Sequence, residues 1–462
     1  MSRPLRFYST NRNSPDVTLA QALLQGQAPD RGLYLPRTYP LITPDELRRW
    51  RLRSYPEVAF AVLRKFTVGV IDEARLRELC TDAYDFEVPL EKVTEHIHVL
   101  RLDRGPTASF KDFAARMMAR WMGVLASRQT ADGEPPGELI VLTATSGDTG
   151  SAVAHAFRGV GGVRVVVLFP PAEVSDRQRR QMTTLGGNVT TVAIDGKFDD
   201  CQALVKQAFA DSALRGLRLT SANSINIGRL LPQCVYYVYA YVHLPETANG
   251  AAITVSVPSG NFGNMMGAML ARRMGLPIER VVVATNANDE FPNFLRTGQY
   301  QKIVPSRVCI SNAMNVGHPS NLARLVDIYG GWMDETGHLR EPPNLSAMRQ
   351  ELYAVSIDDE RTRATIKTVY EQHQVILEPH GAVGWAGLEE YLDRHPAAAD
   401  RPAVTIETAH PAKFPEEIQA TIGITPKTPR SLAGLETKQE HYERLPAQYE
   451  QFRAWLLEQF GQ

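Results

Sequence analysis

Cysteine is scarce in this chain: Cys80, Cys201, Cys234 and Cys309 are scattered through 462 residues with no CxxC pair. That spacing excludes a zinc site and a disulfide framework, and a reducing cytoplasm is the expected setting. Excess charge of either sign is missing too, with 50 Lys plus Arg against 51 Asp plus Glu. Nucleic acid and acidic membrane surfaces are therefore not expected as partners, whereas small molecules are. No run approaches the roughly 20 apolar residues that a membrane span needs. Met1-Ser2-Arg3-Pro4-Leu5-Arg6 leads into no apolar signal core, so no targeting segment is expected. Low-complexity tails are absent. What is present, 44% hydrophobic and 22% charged residues, is the composition of a soluble globular protein with room for two or three domains.

The stretch with the most pointed chemistry is Gly105-Pro106-Thr107-Ala108-Ser109-Phe110-Lys111-Asp112-Phe113. Gly-Pro marks a turn. After it Phe110, Phe113, Ala114, Met117, Trp121 and Val124 recur at helical spacing, with Asp112 in the first turn where the helix dipole favours an anion. Lys111 thus stands at a helix start between two phenylalanines, where dipole and desolvation both lower the pKa of an ammonium. A deprotonated lysine can form a Schiff base with an aldehyde. An isolated FKDF is more often a surface lysine on an amphipathic helix; the rest of the chain alters that balance.

The first ninety or so residues read as a small helical lead-in, with helices near Pro44 to Trp50 and Ile71 to Leu79. From Leu139 strands alternate with helices, the pattern of a doubly wound, largely parallel α/β sheet. Leu139 to Leu142, Val163 to Phe169 and Val189 to Ile194 read as strands. Ser151 to Phe157, Ser175 to Leu185 and Phe198 to Phe209 read as helices. The tight loop Thr145-Ser146-Gly147-Asp148-Thr149-Gly150 falls at a strand's carboxyl end, where ligands bind in such sheets. A second loop, Pro258-Ser259-Gly260-Asn261-Phe262-Gly263-Asn264, separates the strand Ile253 to Val257 from the helix Met265 to Arg273. Its small residues would let backbone amides approach a phosphate. It is neither a Walker A loop nor a GxGxxG fingerprint, and by itself it also suits a structural βα turn.

In this order the segments resemble the threonine synthase family, pyridoxal-phosphate enzymes of the tryptophan synthase β-like architecture (fold type II), almost from end to end. Gly26 to Pro36 resembles the family's N-terminal motif, Gly105 to Phe113 its cofactor-lysine segment, Thr143 to Gly150 its SGDTG loop and Ser256 to Gly267 its cofactor-phosphate loop. Met314 to Asn321, Glu378 to Gly384 and Glu407 to Phe414 also resemble family segments. The chain departs from the common pattern at Arg104, often histidine, and at Ala108-Ser109, often leucine-alanine.

The resemblance implies an α/β fold of two doubly wound domains with a small helical N-terminal domain. We expect that N-terminal domain over 1–95, a large cofactor domain over 96–138 and 245–435, a smaller α/β domain over 139–244, and a C-terminal helical tail over 436–462. It implies pyridoxal 5'-phosphate held on Lys111 as a Schiff base, with Ser259, Gly260, Asn261, Phe262, Gly263 and Asn264 around its phosphate. Thr408 would lie near the ring nitrogen, a neutral hydroxyl that leaves the ring largely unprotonated. Asp148 would lie by the 3'-oxygen, which requires a shared proton or a nearby cation. The implied substrate is O-phosphohomoserine, converted with water to threonine and phosphate by γ-elimination and β-hydration. Its phosphate would meet Thr145, Ser146 and Thr149 on one loop and Asn223, Ser224, Asn226 and Arg229 on another, with Lys413 a further candidate. Arg229 offers a fork matched to phosphate oxygens. His380 and His410 read as oriented polar residues. A serine or threonine dehydratase of the same fold, or a binding protein without catalysis, remains an alternative. No metal is expected, and the working unit is expected to be a monomer or homodimer.

Overall fold

Runs of aliphatic residues bury both faces of a strand only where helices cover both sides of the sheet. Val163–Phe169 (VRVVVLF) buries six of its seven residues, and Ile253–Pro258 buries all six. In the computed structural model, which describes residues 4–128 and 138–461, these two strands sit at the centres of two separate sheets. The larger sheet has the order Leu352–Ser356, Ile278–Thr285, Ile253–Pro258, Ala403–Glu407, Ile97–Arg101, Leu90–Lys92; only the last pairing is antiparallel. The smaller sheet is parallel throughout, ordered Glu443–Pro446, Val189–Asp195, Val163–Phe169, Leu139–Ala144, Arg218–Ser221.

This order brings the loops together. Ser256 pairs with Thr405, so the loop after Pro258 and residue Thr408 leave the larger sheet side by side at its carboxyl edge. Leu142 pairs with Ser221, which sets the loop starting at Thr145 beside the segment starting at Ala222. The helix Lys111–Arg128 packs on Asp148–Phe157, which follows the strand Leu139–Ala144 of the smaller sheet, and on Ile227–Leu230. Lys111 therefore stands at the seam between the two sheets.

Two regions carry strands that sequence patterning did not indicate. The N-terminal region is helical in bulk, with helices at Leu19–Gln25, Pro44–Trp50, Tyr55–Thr67 and Glu73–Ala83, and adds a small antiparallel sheet of Arg6–Ser9, Val17–Thr18 and Tyr34–Pro36. The C-terminal segment ends in the helix Tyr449–Phe460, preceded by Glu443–Pro446, which forms an edge of the smaller sheet. Residues 129–137, next to the boundary expected at 138, lie outside the described residues. No described helix is long and apolar enough to cross a membrane.

Candidate active site

Lys111 begins its helix where a tight turn is pinned from both sides. The backbone N–H and hydroxyl of Thr107 both donate to the carboxylate of Asp112, at 2.8 and 2.7 Å. The Phe110 amide donates to the carbonyl of Thr408 and the His410 amide to that of Ala108, tying the lysine turn to the end of the strand Ala403–Glu407. Ala108 takes a left-handed backbone, φ +53°. The Lys111 Nζ lies 4.7 Å from the Phe110 ring centroid and 4.0 Å from Asp148 Oδ2. Burial pulls its pKa down; Asp148 and Glu378 oppose this, while Lys413 and Arg229 add to it. The charged neighbours of Lys111 thus include four groups that lie far apart in sequence.

Asp148 has the cation its expected place demands. Burial alone would raise its pKa, but Lys413, Lys111 and Gln178 hold it well below the usual carboxylate range. Lys413 Nζ lies 2.5 Å from Asp148 Oδ1 and also donates to the Thr107 carbonyl at 3.2 Å. The ammonium expected as a further substrate-phosphate donor is thus engaged by Asp148 and Thr107. Gln178, which the sequence did not single out, donates to the same carboxylate at 2.9 Å.

At the second loop, the amides of Gly260, Asn261, Phe262, Gly263 and Asn264 donate to no acceptor among the described residues. They precede and open the helix Gly263–Arg273, and such amides suit a phosphate. Phe262 is left-handed, φ +64°, with its ring 4.9 Å from that of Phe291. Asn264 Oδ1 accepts from the hydroxyls of Tyr236 and Tyr237, while its buried Nδ2 has no partner. The reason Gly260 must be small differs from the expected one. A Cβ there would stand 2.9 Å from the Ala313 carbonyl oxygen and 3.0 Å from Met314 Cα. The space it would fill belongs to a neighbouring chain segment. Ser259 directs its hydroxyl to the Val257 carbonyl at 2.8 Å, which leaves its side chain a structural part.

The expected substrate-phosphate residues divide into two groups. Thr145 and Asn226 are used up locally. The Thr145 hydroxyl accepts from the amides of Gly147 and Gly150 and donates to the Gly147 carbonyl. Asn226 Nδ2 donates to the carbonyls of Leu23 and Ser221, and its Oδ1 accepts from Gly228. These two side chains shape the loops and have no donor left for a phosphate. Arg229 is the opposite case. It is buried, donates from Nη1 to the Ala222 carbonyl at 2.7 Å, and its Nε has no partner. Burial pushes its pKa down to about 10, with only partial compensation from Asp112. A buried guanidinium without a paired carboxylate is costly, and an anion would relieve it. Nearby Asn223 Oδ1 is also unpaired, Ser224 Oγ lies 3.3 Å from Ser320 Oγ, and Ser146 is exposed with Thr149 half-buried.

Asn321 and Arg324 stitch these parts together, and neither was picked out as a site residue. Asn321 Nδ2 donates to the Asn261 carbonyl at 2.9 Å, and its Oδ1 accepts from Arg324. Arg324, fully buried, also donates to the carbonyls of Tyr34, Ser224 and Ile225. In the sequence, Asn321 closes the family-like segment Met314 to Asn321, and Arg324 follows three residues later in the helix Leu322–Ile328.

Comparison with known proteins bears on the whole chain. A family model for pyridoxal-phosphate-dependent enzymes matches residues 87–408, and models for the N-terminal and C-terminal parts of threonine synthase match 6–84 and 381–456. A curated threonine synthase from Serratia marcescens is 38% identical over 457 residues, covering 98% of this chain and 99% of its own length. The chain belongs to the threonine synthase family. Two solved threonine synthases share its fold. The pyridoxal-phosphate-bound protein from Brucella melitensis matches with a TM-score of 0.90 at 35% identity, covering 99% of each chain. That from Escherichia coli matches with a TM-score of 0.85 at 36% identity, covering 98% of this chain and all of the other. The expected α/β architecture of the threonine synthase family and its pyridoxal-phosphate cofactor stand on these matches.

Proposed function

We propose that the protein converts O-phospho-L-homoserine and water to L-threonine and phosphate, with pyridoxal 5'-phosphate carried on Lys111. The observation that carries this reading within the family is Arg229: a buried guanidinium with an unpaired Nε, electrostatically coupled to Lys111. A dehydratase of serine or threonine has no substrate phosphate to bind and no need of that charge. The free loop amides at Gly260 to Asn264 support a cofactor phosphate there. Thr408 would stand at the ring nitrogen, and Asp148, neutralised by Lys413, at the 3'-oxygen.

Bound there, the cofactor supplies an electron sink for carbanions formed next to the amino group. The protein's own groups do the rest. Lys111, kept toward its neutral form by burial, takes the proton from Cα of the substrate. A proton is then lost from Cβ as phosphate leaves Cγ, and Cγ is protonated in turn. One amine on a four-carbon stem can reach all three carbons. Arg229, with Asn223, Ser224, Ser146 and Thr149 around it, would receive the phosphate as charge develops on the leaving oxygen. Water adds at Cβ, and Lys111 returns the proton to Cα. The seam between the two sheets would exclude other water from the early carbanion.

Every residue used in this scheme comes from one chain, which is consistent with a monomer or a homodimer as the working unit. The four cysteines are all free and buried thiols, in keeping with a reducing cytoplasm. The test is direct: purified protein loaded with cofactor should release inorganic phosphate from O-phosphohomoserine with threonine as the amino-acid product. Release of ammonia and a keto acid from serine or threonine at comparable efficiency would overturn the reading in favour of a dehydratase.

A further inference from the structure

At the loop that would hold the cofactor's phosphate, one buried side-chain donor is left over. Asn264 stands in the first turn of the helix Gly263–Arg273 and is only 5% exposed. Its Oδ1 accepts from the Tyr236 hydroxyl at 2.5 Å and from the Tyr237 hydroxyl at 2.6 Å, while its Nδ2 has no partner among the described residues. A buried amide N–H without an acceptor is costly. The side chain is therefore saturated at one end and empty at the other. The backbone amides of Gly260 to Asn264 are empty in the same way, so main-chain and side-chain donors on one turn lack the same thing, an acceptor.

The two tyrosines come from the helix Gln233–His243 and are fully buried. That helix approaches Gly263–Arg273 closely because Gly267 has no side chain. A Cβ there would stand 2.8 Å from Gln233 Cβ and 3.0 Å from the Gln233 carbonyl oxygen. Neighbouring residues on a helix point about 100° apart, so both hydroxyls meet one oxygen only because Asn264 lies in the angle between them. Phenylalanine would fill the same apolar space, and the Tyr236 ring already packs edge-on against Phe113 at 5.7 Å between centroids. The hydroxyls need a separate reason. Burial raises the pKa of both phenols well above the ordinary value, so each keeps its one proton to donate. Tyr237 has no other side chain to give it to, its second contact being the Asn264 carbonyl at 3.2 Å. Tyr236 also lies 3.0 Å from Gln233 Oε1, but Asn264 Oδ1 is the nearer acceptor.

An asparagine amide fits its space in two orientations. With Nδ2 turned to the phenols, its N–H groups would be spent on them and a carbonyl oxygen would face the other way, where it would repel a phosphate. With Oδ1 turned to the phenols, as in the structure, the N–H groups are free for an anion. Donors on an amide oxygen also polarise the group and strengthen its N–H. We propose that Tyr236 and Tyr237 are positioning residues, whose hydroxyls hold Asn264 with Nδ2 toward the cofactor's phosphate. This rests on the loop Gly260 to Asn264 holding that phosphate.

The experiment titrates the full chain, freed of cofactor, with pyridoxal 5'-phosphate and separately with pyridoxal, which lacks the phosphate, both followed by absorbance. The ratio of the two affinities isolates what the phosphate contributes. Asn264→Ala should lower that ratio roughly ten- to a hundredfold, as loss of a hydrogen bond to a charged group does. Tyr236→Phe and Tyr237→Phe should each lower it roughly tenfold with pyridoxal affinity unchanged, and neither should lower it further in the Asn264→Ala background. Tyrosine variants with the wild-type ratio overturn the proposal. So does an equal loss for both ligands, which marks a packing role, and so does a further loss in the double variants, which marks a route other than Asn264. Should Asn264→Ala fail to fold, the near-isosteric Asn264→Leu takes its place in both arms. The underlying reading fails separately. A wild-type chain that binds both ligands equally has no phosphate site in this loop, whereas a wild-type preference for the phosphorylated form that survives in Asn264→Ala overturns only the role of Asn264 and its tyrosines.

Discussion

Lys111 and Arg229 are both basic residues of the site, yet they serve opposite ends of the chemistry, and single substitutions separate them. Borohydride treatment of the yellow holoenzyme should fix the cofactor onto Lys111, and Lys111→Ala should lose that covalent adduct. Peptide mapping that finds the label on a different lysine would remove Lys111 from its role. Arg229→Ala should retain the cofactor but lose a charge-assisted hydrogen bond, worth about 1.5–3 kcal/mol or roughly one to two powers of ten in kcat/KM with O-phosphohomoserine. Residual deamination of serine, which carries no phosphate, should change far less. Equal losses on both substrates would place the effect in folding and not in phosphate recognition. The difference between Arg229 and Asn226, three residues apart, shows what the sequence could not convey. Both belong to a polar segment that resembles a phosphate site, but Asn226 is consumed by its own loop and Arg229 is left with an unpaired Nε.

Among the elements, the loop between Ile253–Pro258 and Gly263–Arg273 is constrained by what lies behind it. Gly260→Val would drive a branched side chain into the backbone at Ala313 and Met314. The loop must then shift, and cofactor retention through dialysis should fall, as followed by bound-cofactor absorbance. Full retention would mean that the phosphate is held elsewhere. The Ala313 amide is itself fixed by His380, so the phosphate loop is backed by the start of the helix Pro379–Arg394. Much at this scale was legible. Val163–Phe169 and Pro44–Trp50 have the expected bounds, because one is an unbroken aliphatic run and the other begins with Thr43 as its cap and a proline in its first turn. The strand Glu443–Pro446 was hidden because ERLP has neither alternation nor an apolar run, and a polar edge position asks for neither. The N-terminal strands escaped because they are two to four residues long. Asn264 and Asn321 lay within segments that resemble the family, but their partners come from distant parts of the chain, and no local pattern names a partner.

Across the whole molecule, stability and pH are linked through acids that folding buries without a cation. Glu290 is almost fully buried, has an unpaired Oε2, and is pushed up to about 7 by burial. Its folded pKa is raised, so its contribution is fully present below the ordinary carboxyl value of about 4.5 and is lost as pH rises through about 7. Glu290→Gln removes that loss. The variant should match wild type in the unfolding free energy from urea melts below pH 4.5 and exceed it by about 3 kcal/mol above pH 7. An advantage that does not change with pH would point to a packing effect instead. The strand Glu443–Pro446 has a different kind of consequence, one of timing. It closes the edge beside Val189–Asp195, yet a ribosome makes it only after every strand of the larger sheet. Until then the smaller domain emerges with a bare row of amide and carbonyl groups along that edge, open to a neighbouring nascent chain. A chain cut after residue 435 would keep that edge bare for good, and it should sediment as aggregates even though every residue named here around Lys111 is intact.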